Sequence, residues 1–175
     1  MELLLWQFWT YSFLGYLLEL GYAAATHAPN QVRKCFLLLP LCPVYGLGVL
    51  AVLALPAECK NGFFALAWWG GLAATAVDYG VHAAYEHFFH VHFWDYRAVW
   101  GNLKGRICVP FSIAWGLVLA VIFLITQGIL VPWLCEIPAG VTYGMLLLFT
   151  ADAVVSVRIL RRTADPTALC LAAFA

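Results

Sequence analysis

Ile107 to Leu130 reads ICVPFSIAWGLVLAVIFLITQGIL, a run without one charged side chain. An α-helix rises about 1.5 Å per residue, so a stretch of this length spans the roughly 30 Å hydrocarbon core of a bilayer. Four other stretches share its character: about Leu3 to Ala24, Cys35 to Pro56, Phe63 to Ala84 and Ala139 to Leu160. Across 175 residues, hydrophobic types reach 65% and charged types only 10%, with a mean hydropathy of +0.89. A water-soluble domain of this size cannot hide so much apolar surface. The expected fold is an all-α integral membrane protein, a bundle of five transmembrane helices in a single domain over residues 1–162. An interfacial aromatic segment joins helices 3 and 4, and 163–175 form a short cytoplasmic tail, expected to be poorly ordered.

Charge orients the bundle. Nine acids balance nine bases. Five crossings place the N-terminus and the second and fourth connections on one face, which carries only Lys60. Arg33, Lys34, Arg97, Lys104, Arg106, Arg158, Arg161 and Arg162 fall on the other. The positive-inside rule then sets the N-terminus outside and the C-terminus in the cytoplasm. The start, with Glu2 and no basic stretch, reads as a retained anchor rather than a cleavable signal peptide. Tryptophans near both ends of the spans fit interfacial belts. No G-x-x-x-x-G-K-[ST] run is present, so a P-loop nucleotide site is excluded, and the few juxtamembrane bases give no footprint for nucleic acid.

Acids inside a bilayer are costly and therefore informative. Glu19, Asp78 and Asp152, with Tyr45 and Ser112, all fall roughly 8–15 Å below the cytoplasmic ends of their helices. Ser12, Gly15, Glu19 and Tyr22 form one helical stripe, and Thr75, Asp78, His82 and Glu86 another. Such stripes should face a cavity or the bundle interior; hydrogen-bonded packing between helices is the plainer account. Pro40 and Pro43, beside Tyr45, should break or kink the second helix. Backbone irregular at that depth is tolerated only against protein or a cavity.

Tyr85 to Arg106 reads YEHFFHVHFWDYRAVWGNLKGR, too polar to cross and too aromatic for a plain loop; an interfacial or re-entrant segment fits. Arg97, Lys104 and Arg106 there could meet lipid phosphate or act as ordinary positive-inside charge. Arg106 is the expected counter-charge of Glu86 and Asp95. Histidines at 82, 87, 90 and 92 raise the question of a metal, but the order is not H-E-x-x-H and no second ligand cluster supports it, so titrating interfacial histidines are expected and no metal site. Cysteines show no C-x-x-C pairing. Cys35, at a cytoplasmic span end, is expected to stay reduced, as are the others, behaving as small hydrophobes; Cys59 and Cys135, in outer connections, are the one pair that could bridge.

Several of these stretches together resemble a known family. Tyr11 to Glu19 (YSFLGYLLE), Cys42 to Gly46 (CPVYG), Phe89-His90 with Trp94-Asp95-Tyr96, and Asn102 to Cys108 (NLKGRIC) with Ser112 and Trp115-Gly116 are similar, in order, to motifs of the bacterial type IV ABC-transporter permease family. His92 stands where that family more often has arginine, and Arg97 where it often has serine. The resemblance implies a small multi-pass protein of the bacterial inner membrane.

The functional expectation is a permease-like transport component whose polar layer, in the cytoplasmic half of the bilayer, binds a solute or ion. Its candidate residues are Glu19, Tyr45, Asp78, His82, Glu86, His90, Asp95, Asn102, Arg106 and Ser112. No cofactor is expected. Membrane lipids, a separate ATP-binding subunit and a second copy of the chain are the expected partners. The alternative is a membrane-embedded enzyme acting on a lipid, with His90 as acid or base and Lys104 and Arg106 holding a phosphate.

Overall fold

The computed structural model describes residues 1–26 and 35–169. Arg33 and Lys34 of the charge count, and the tail from residue 170, lie outside them. Five helices dominate. The first, α1, is Glu2–Thr26 and the second, α2, is only Pro43–Leu53. The third, α3, runs continuously over residues 63–89 as Phe63–Ala65, a π-helical turn Leu66–Gly70, and Gly71–Phe89. Then come α4, Val109–Cys135, and α5, Ala139–Thr163.

Two of these, α4 and α5, are long and apolar enough to cross a membrane, with mean hydropathies of 2.4 and 1.6. On α4 the row Ile113, Leu117, Val121 and Leu124 is exposed. An outward apolar row at helical spacing suits hydrocarbon surroundings rather than water.

The second span departs from a continuous helix over Cys35 to Pro56. Residues 35–42 are non-helical, and the helix begins only at Pro43, which occupies its first turn where a missing N–H costs nothing. Pro40 prevents an earlier start by removing a donor and crowding the preceding turn. The non-helical stretch is held inside protein: Cys35, Leu37, Leu41 and Cys42 are all buried. Its backbone donors find acceptors on other elements. Leu38 N–H donates to Asp152 Oδ1 at 3.1 Å and Leu39 N–H to Asp152 Oδ2 at 3.0 Å, while Cys42 N–H donates to Ser12 O at 2.9 Å. Asp152 therefore belongs to this contact and does not line the cavity described below. Cys35 and Cys42 are joined by a disulfide, with Cα atoms 4.8 Å apart, so Cys35 is not a reduced thiol at an exposed span end. The fold back of residues 35–42 brings the two together in the interior. Cys59, Cys108 and Cys135 are free.

Glycines let the helices approach. A Cβ on Gly46 would lie 2.5 Å from Phe8 O, and one on Gly116 would lie 2.6 Å from Ala67 O. These are the α1–α2 and α3–α4 crossings, with small residues at the contact as in other membrane bundles. Beyond α3 the chain does not simply skim an interface. His90 caps the helix in a left-handed conformation (φ 57°), its N–H on Glu86 O at 3.1 Å. Val91 and Phe93 then pack under α5 against Leu160 and Leu169. Leu169, at 1% exposure, ties down the start of the tail expected to be loose. A short hairpin follows, β1 (Asn102–Leu103) antiparallel to β2 (Ile107–Cys108). Arg106 therefore sits in the hairpin turn and not at the start of a helix.

Replacing Asp152 by alanine removes the carboxylate oxygens that accept the Leu38 and Leu39 N–H groups, at about 1–3 kcal/mol for each bond lost. Chemical denaturation in detergent should show Asp152→Ala well below wild type and Asp152→Asn, which keeps one acceptor oxygen, in between. Equal stability of all three would mean the stretch 35–42 is held by its apolar packing alone.

Candidate functional site

Gly15 of α1 sets up the site. A side chain on Gly15 would overlap the ring of Tyr45, so glycine there lets Tyr45 lie flat across α1 and reach Glu19. The Tyr45 hydroxyl donates to Glu19 Oε1 at 2.6 Å, a short bond of the kind formed with carboxylates. Glu19 and Tyr45 open onto a cavity of 440 Å³, which Asp78 of α3 enters from the facing side. Asp78 has no hydrogen-bond or ion-pair partner among the described residues. One rim is formed by Trp94, Asp95 and Tyr96 from the segment after α3. Asp95 also accepts the Arg97 N–H at 2.9 Å and pairs with its guanidinium at 3.6 Å, both groups largely exposed.

The cavity wall is aromatic. Tyr45 meets Trp115 edge-on at 5.7 Å, Trp115 lies 6.5 Å from Phe111, and Phe111 lies 5.0 Å from Tyr96. Burial, then the nearby Asp78 and Glu19, push the Tyr96 phenol pKa upward, so it remains a protonated donor. Three carboxyl groups line this space, and among the described residues no lysine, arginine or histidine does. Such a lining favours a cation.

A second cluster adjoins it. Arg106 donates to Glu86 Oε2 through Nε at 3.1 Å and Nη2 at 2.8 Å, and through Nη1 to the Tyr79 hydroxyl at 2.9 Å, with the guanidinium 4.9 Å from the Tyr79 ring centre. Glu86 is thus its partner; Asp95 is taken by Arg97. His82 Nε2 lies 3.2 Å from His92 Nδ1. Trp94 leans on the His82 ring at 5.1 Å and donates to Arg106 O at 2.8 Å, joining the cluster to the cavity rim.

Of the ten residues expected from sequence, Glu19, Tyr45, Asp78 and Asp95 share the cavity, and His82, Glu86 and Arg106 share the adjoining cluster. The others fall elsewhere. His90 is the exposed cap of α3. Asn102 uses its amide within the loop, donating to Val99 O at 2.9 Å and accepting Gly105 N–H at 3.2 Å. Ser112 is absent from the cavity lining, and its carbonyl lies at the α3–α4 contact beside Gly71. Tyr79 and Phe111 were not singled out from sequence, and Tyr96 and Trp115 of the aromatic wall only as parts of the family motifs. Tyr79 lies two helical turns before Glu86, the spacing that could have found it.

A family profile described as "Putative ABC-transporter type IV" matches residues 6–157. The chain belongs to this family. The match covers α1 through most of α5, including the cavity and the adjoining cluster. It bears out the family resemblance of the four motifs, and with the two apolar helices it makes the chain a membrane protein of a transporter family. No curated protein and no solved structure matches the chain.

The Glu86–Arg106 pair has a pH signature. Hydrogen bonding to Arg106 holds the Glu86 carboxyl below its ordinary range, and the charge of Arg106 adds to this. A depressed acid stabilises the fold above the ordinary glutamate value of about 4.3 and loses that contribution as pH falls through its lower folded value. Wild type should lose thermal stability on acidification through this range more steeply than Glu86→Gln. Superimposable profiles would show that the pair, which is partly exposed, adds nothing to folding.

Proposed function

We propose that this chain is the membrane-embedded component of a transporter and that its cavity binds a cationic solute. The observation that carries the reading is the lining: Glu19 and Asp78, from α1 and α3, meet in one aromatic-walled space that no described basic side chain lines, with Asp95 at its rim beside Arg97. A carboxyl facing lipid would be costly, whereas facing a ligand cavity it has a reason to persist. Aromatic faces attract cations through the ring quadrupole, and most strongly where water is excluded, so an organic ammonium or similar lipophilic cation suits the site better than a hydrated metal ion. Tyr45 holds Glu19 in place and Tyr96 offers a donor at the rim.

In this reading all five helices cross the bacterial inner membrane, with the N-terminus outside and the C-terminus cytoplasmic, as eight of nine bases on one face imply. The second crossing is then part folded-back loop, residues 35–42, and part α2, a broken span of the sort that transport proteins place beside binding sites. The cavity lies toward the cytoplasmic side. A separate ATP-binding subunit supplies energy, lipids surround the bundle, and a second copy of the chain completes the pore, since five helices enclose little space. The lipid-enzyme alternative is less well supported, because Arg106, its phosphate-holding group, is already engaged by Glu86 and Tyr79.

Binding can be measured directly on purified protein with tetraphenylphosphonium as a probe cation. Wild type should bind it, Glu19→Gln and Asp78→Asn should each weaken binding about tenfold or more, in line with the loss of about 1.4 kcal/mol or more from an ion contact away from bulk water. An aromatic sulfonate should not bind. Equal affinity of the probe for the doubly neutralised variant would remove the carboxyl groups from the site.

Topology has its own check. A reporter active only in the cytoplasm should be active when fused after Ala175 and inactive when fused before Met1, and the reverse pattern would invert the orientation.

A further inference from the structure

The histidines that sequence order does not join are joined in space. His82 is one turn above Glu86 on α3, and the left-handed His90 turns the chain so that His92 comes back alongside. The burial of Val91 and Phe93 on one side of this extended stretch leaves His92 on the other. One ligand atom from each of His82, Glu86 and His92 lies within 4.8 Å of the other two. His82 Nε2 and His92 Nδ1 are 3.2 Å apart. Two imidazole nitrogens bound to one tetrahedral zinc at about 2.0–2.1 Å are separated by about 3.3 Å, so these two need scarcely move.

We propose that His82, Glu86 and His92 form a binding site for a transition-metal dication of the zinc class. His82 ligates through Nε2 and His92 through Nδ1, each neutral and keeping its proton on the other ring nitrogen. Glu86 supplies the third ligand through Oε1, since Oε2 is held by Arg106. That contact orients the carboxylate as hydrogen-bonded partners do in known metal sites. Trp94 against His82 fixes one ring. Arg106 places a positive charge nearby, which the carboxylate offsets. Imidazole ligands select zinc, cobalt or nickel over magnesium and calcium.

Three protein ligands leave a fourth position, and it faces solvent because His92 is exposed while His82 is 4% exposed. Metal can therefore enter from the same side. An occupied site would clamp the end of α3 to the segment carrying Trp94, Asp95 and Tyr96, and so hold one rim of the cavity.

The test uses tag-free, chelator-treated protein in detergent, titrated with Zn2+ by calorimetry and with Co2+ by visible absorption. Wild type should take up one ion per chain, with cobalt bands of four-coordinate intensity, and should ignore Mg2+. His92→Ala and Glu86→Gln should each weaken uptake about tenfold or more. His87→Ala, an exposed histidine of the same helix, should bind as wild type does. Absence of stoichiometric uptake by wild type overturns the proposal without recourse to any variant. Undiminished uptake by folded His92→Ala, judged by its thermal melt, overturns it as well, and leaves the 3.2 Å contact as a simple hydrogen bond between two rings.

Discussion

Asp152 accepting the backbone N–H groups of Leu38 and Leu39 is the contact on which the arrangement of the first three helices depends. In apolar surroundings a backbone donor without an acceptor costs several kcal/mol, and a helix normally supplies the acceptors from within. Pro40 and Pro43 deny that solution to residues 35–42. The carboxyl of α5 replaces the missing helical carbonyls, and Ser12 O of α1 takes the Cys42 N–H. With these donors satisfied, the stretch can remain a non-helical loop in the interior, and α2 begins only at Pro43. A continuous helix through Cys35 would carry Tyr45 elsewhere relative to α1.

From that start the site follows by close approach. Gly15 and Gly46 remove the side chains that would hold α1 and α2 apart, and Tyr45 fills the resulting groove and anchors Glu19. Gly71 and Gly116 do the same for α3 and α4, setting Asp78 opposite Glu19. Small residues cannot by themselves bind anything. Their effect is to let the backbones converge so closely that two acids from different helices share one space. The cavity is thus a product of packing, and its polarity is a product of where the acids fall along each helix.

The segment after α3 links the two polar clusters. Trp94 contacts His82 on one side, donates to the Arg106 carbonyl, and lines the cavity on the other. The hairpin turn that presents Arg106 relies on Lys104 and Gly105 in left-handed conformations, and a side chain on Gly105 would strike Arg97 and Asp95. Any event that shifts this segment, whether loss of the Glu86–Arg106 pair or a ligand at His92, acts on the cavity rim through Trp94.

Sequence alone determined the membrane class, the helical content and the family, because apolar run length and local motifs are properties of consecutive residues. It also singled out Glu19, Tyr45, Asp78 and Asp95, since polar groups in an apolar run stand out and the depth of each follows from counting along its helix. It placed a break near Pro40 and Pro43 for the same local reason. Only the tertiary structure decided what lies beside what. Asp152, at nearly the depth of Asp78, serves the backbone of residues 38 and 39 because rotation about the α5 axis points it there, and counting residues says nothing of rotation between helices. The Cys35–Cys42 bridge depends on a folded-back, non-helical backbone that a hydropathy reading takes for helix. His92 meets His82 only because His90 adopts a left-handed turn and Val91 and Phe93 are drawn under α5, a reversal imposed by burial against Leu160 and Leu169, far away along the chain.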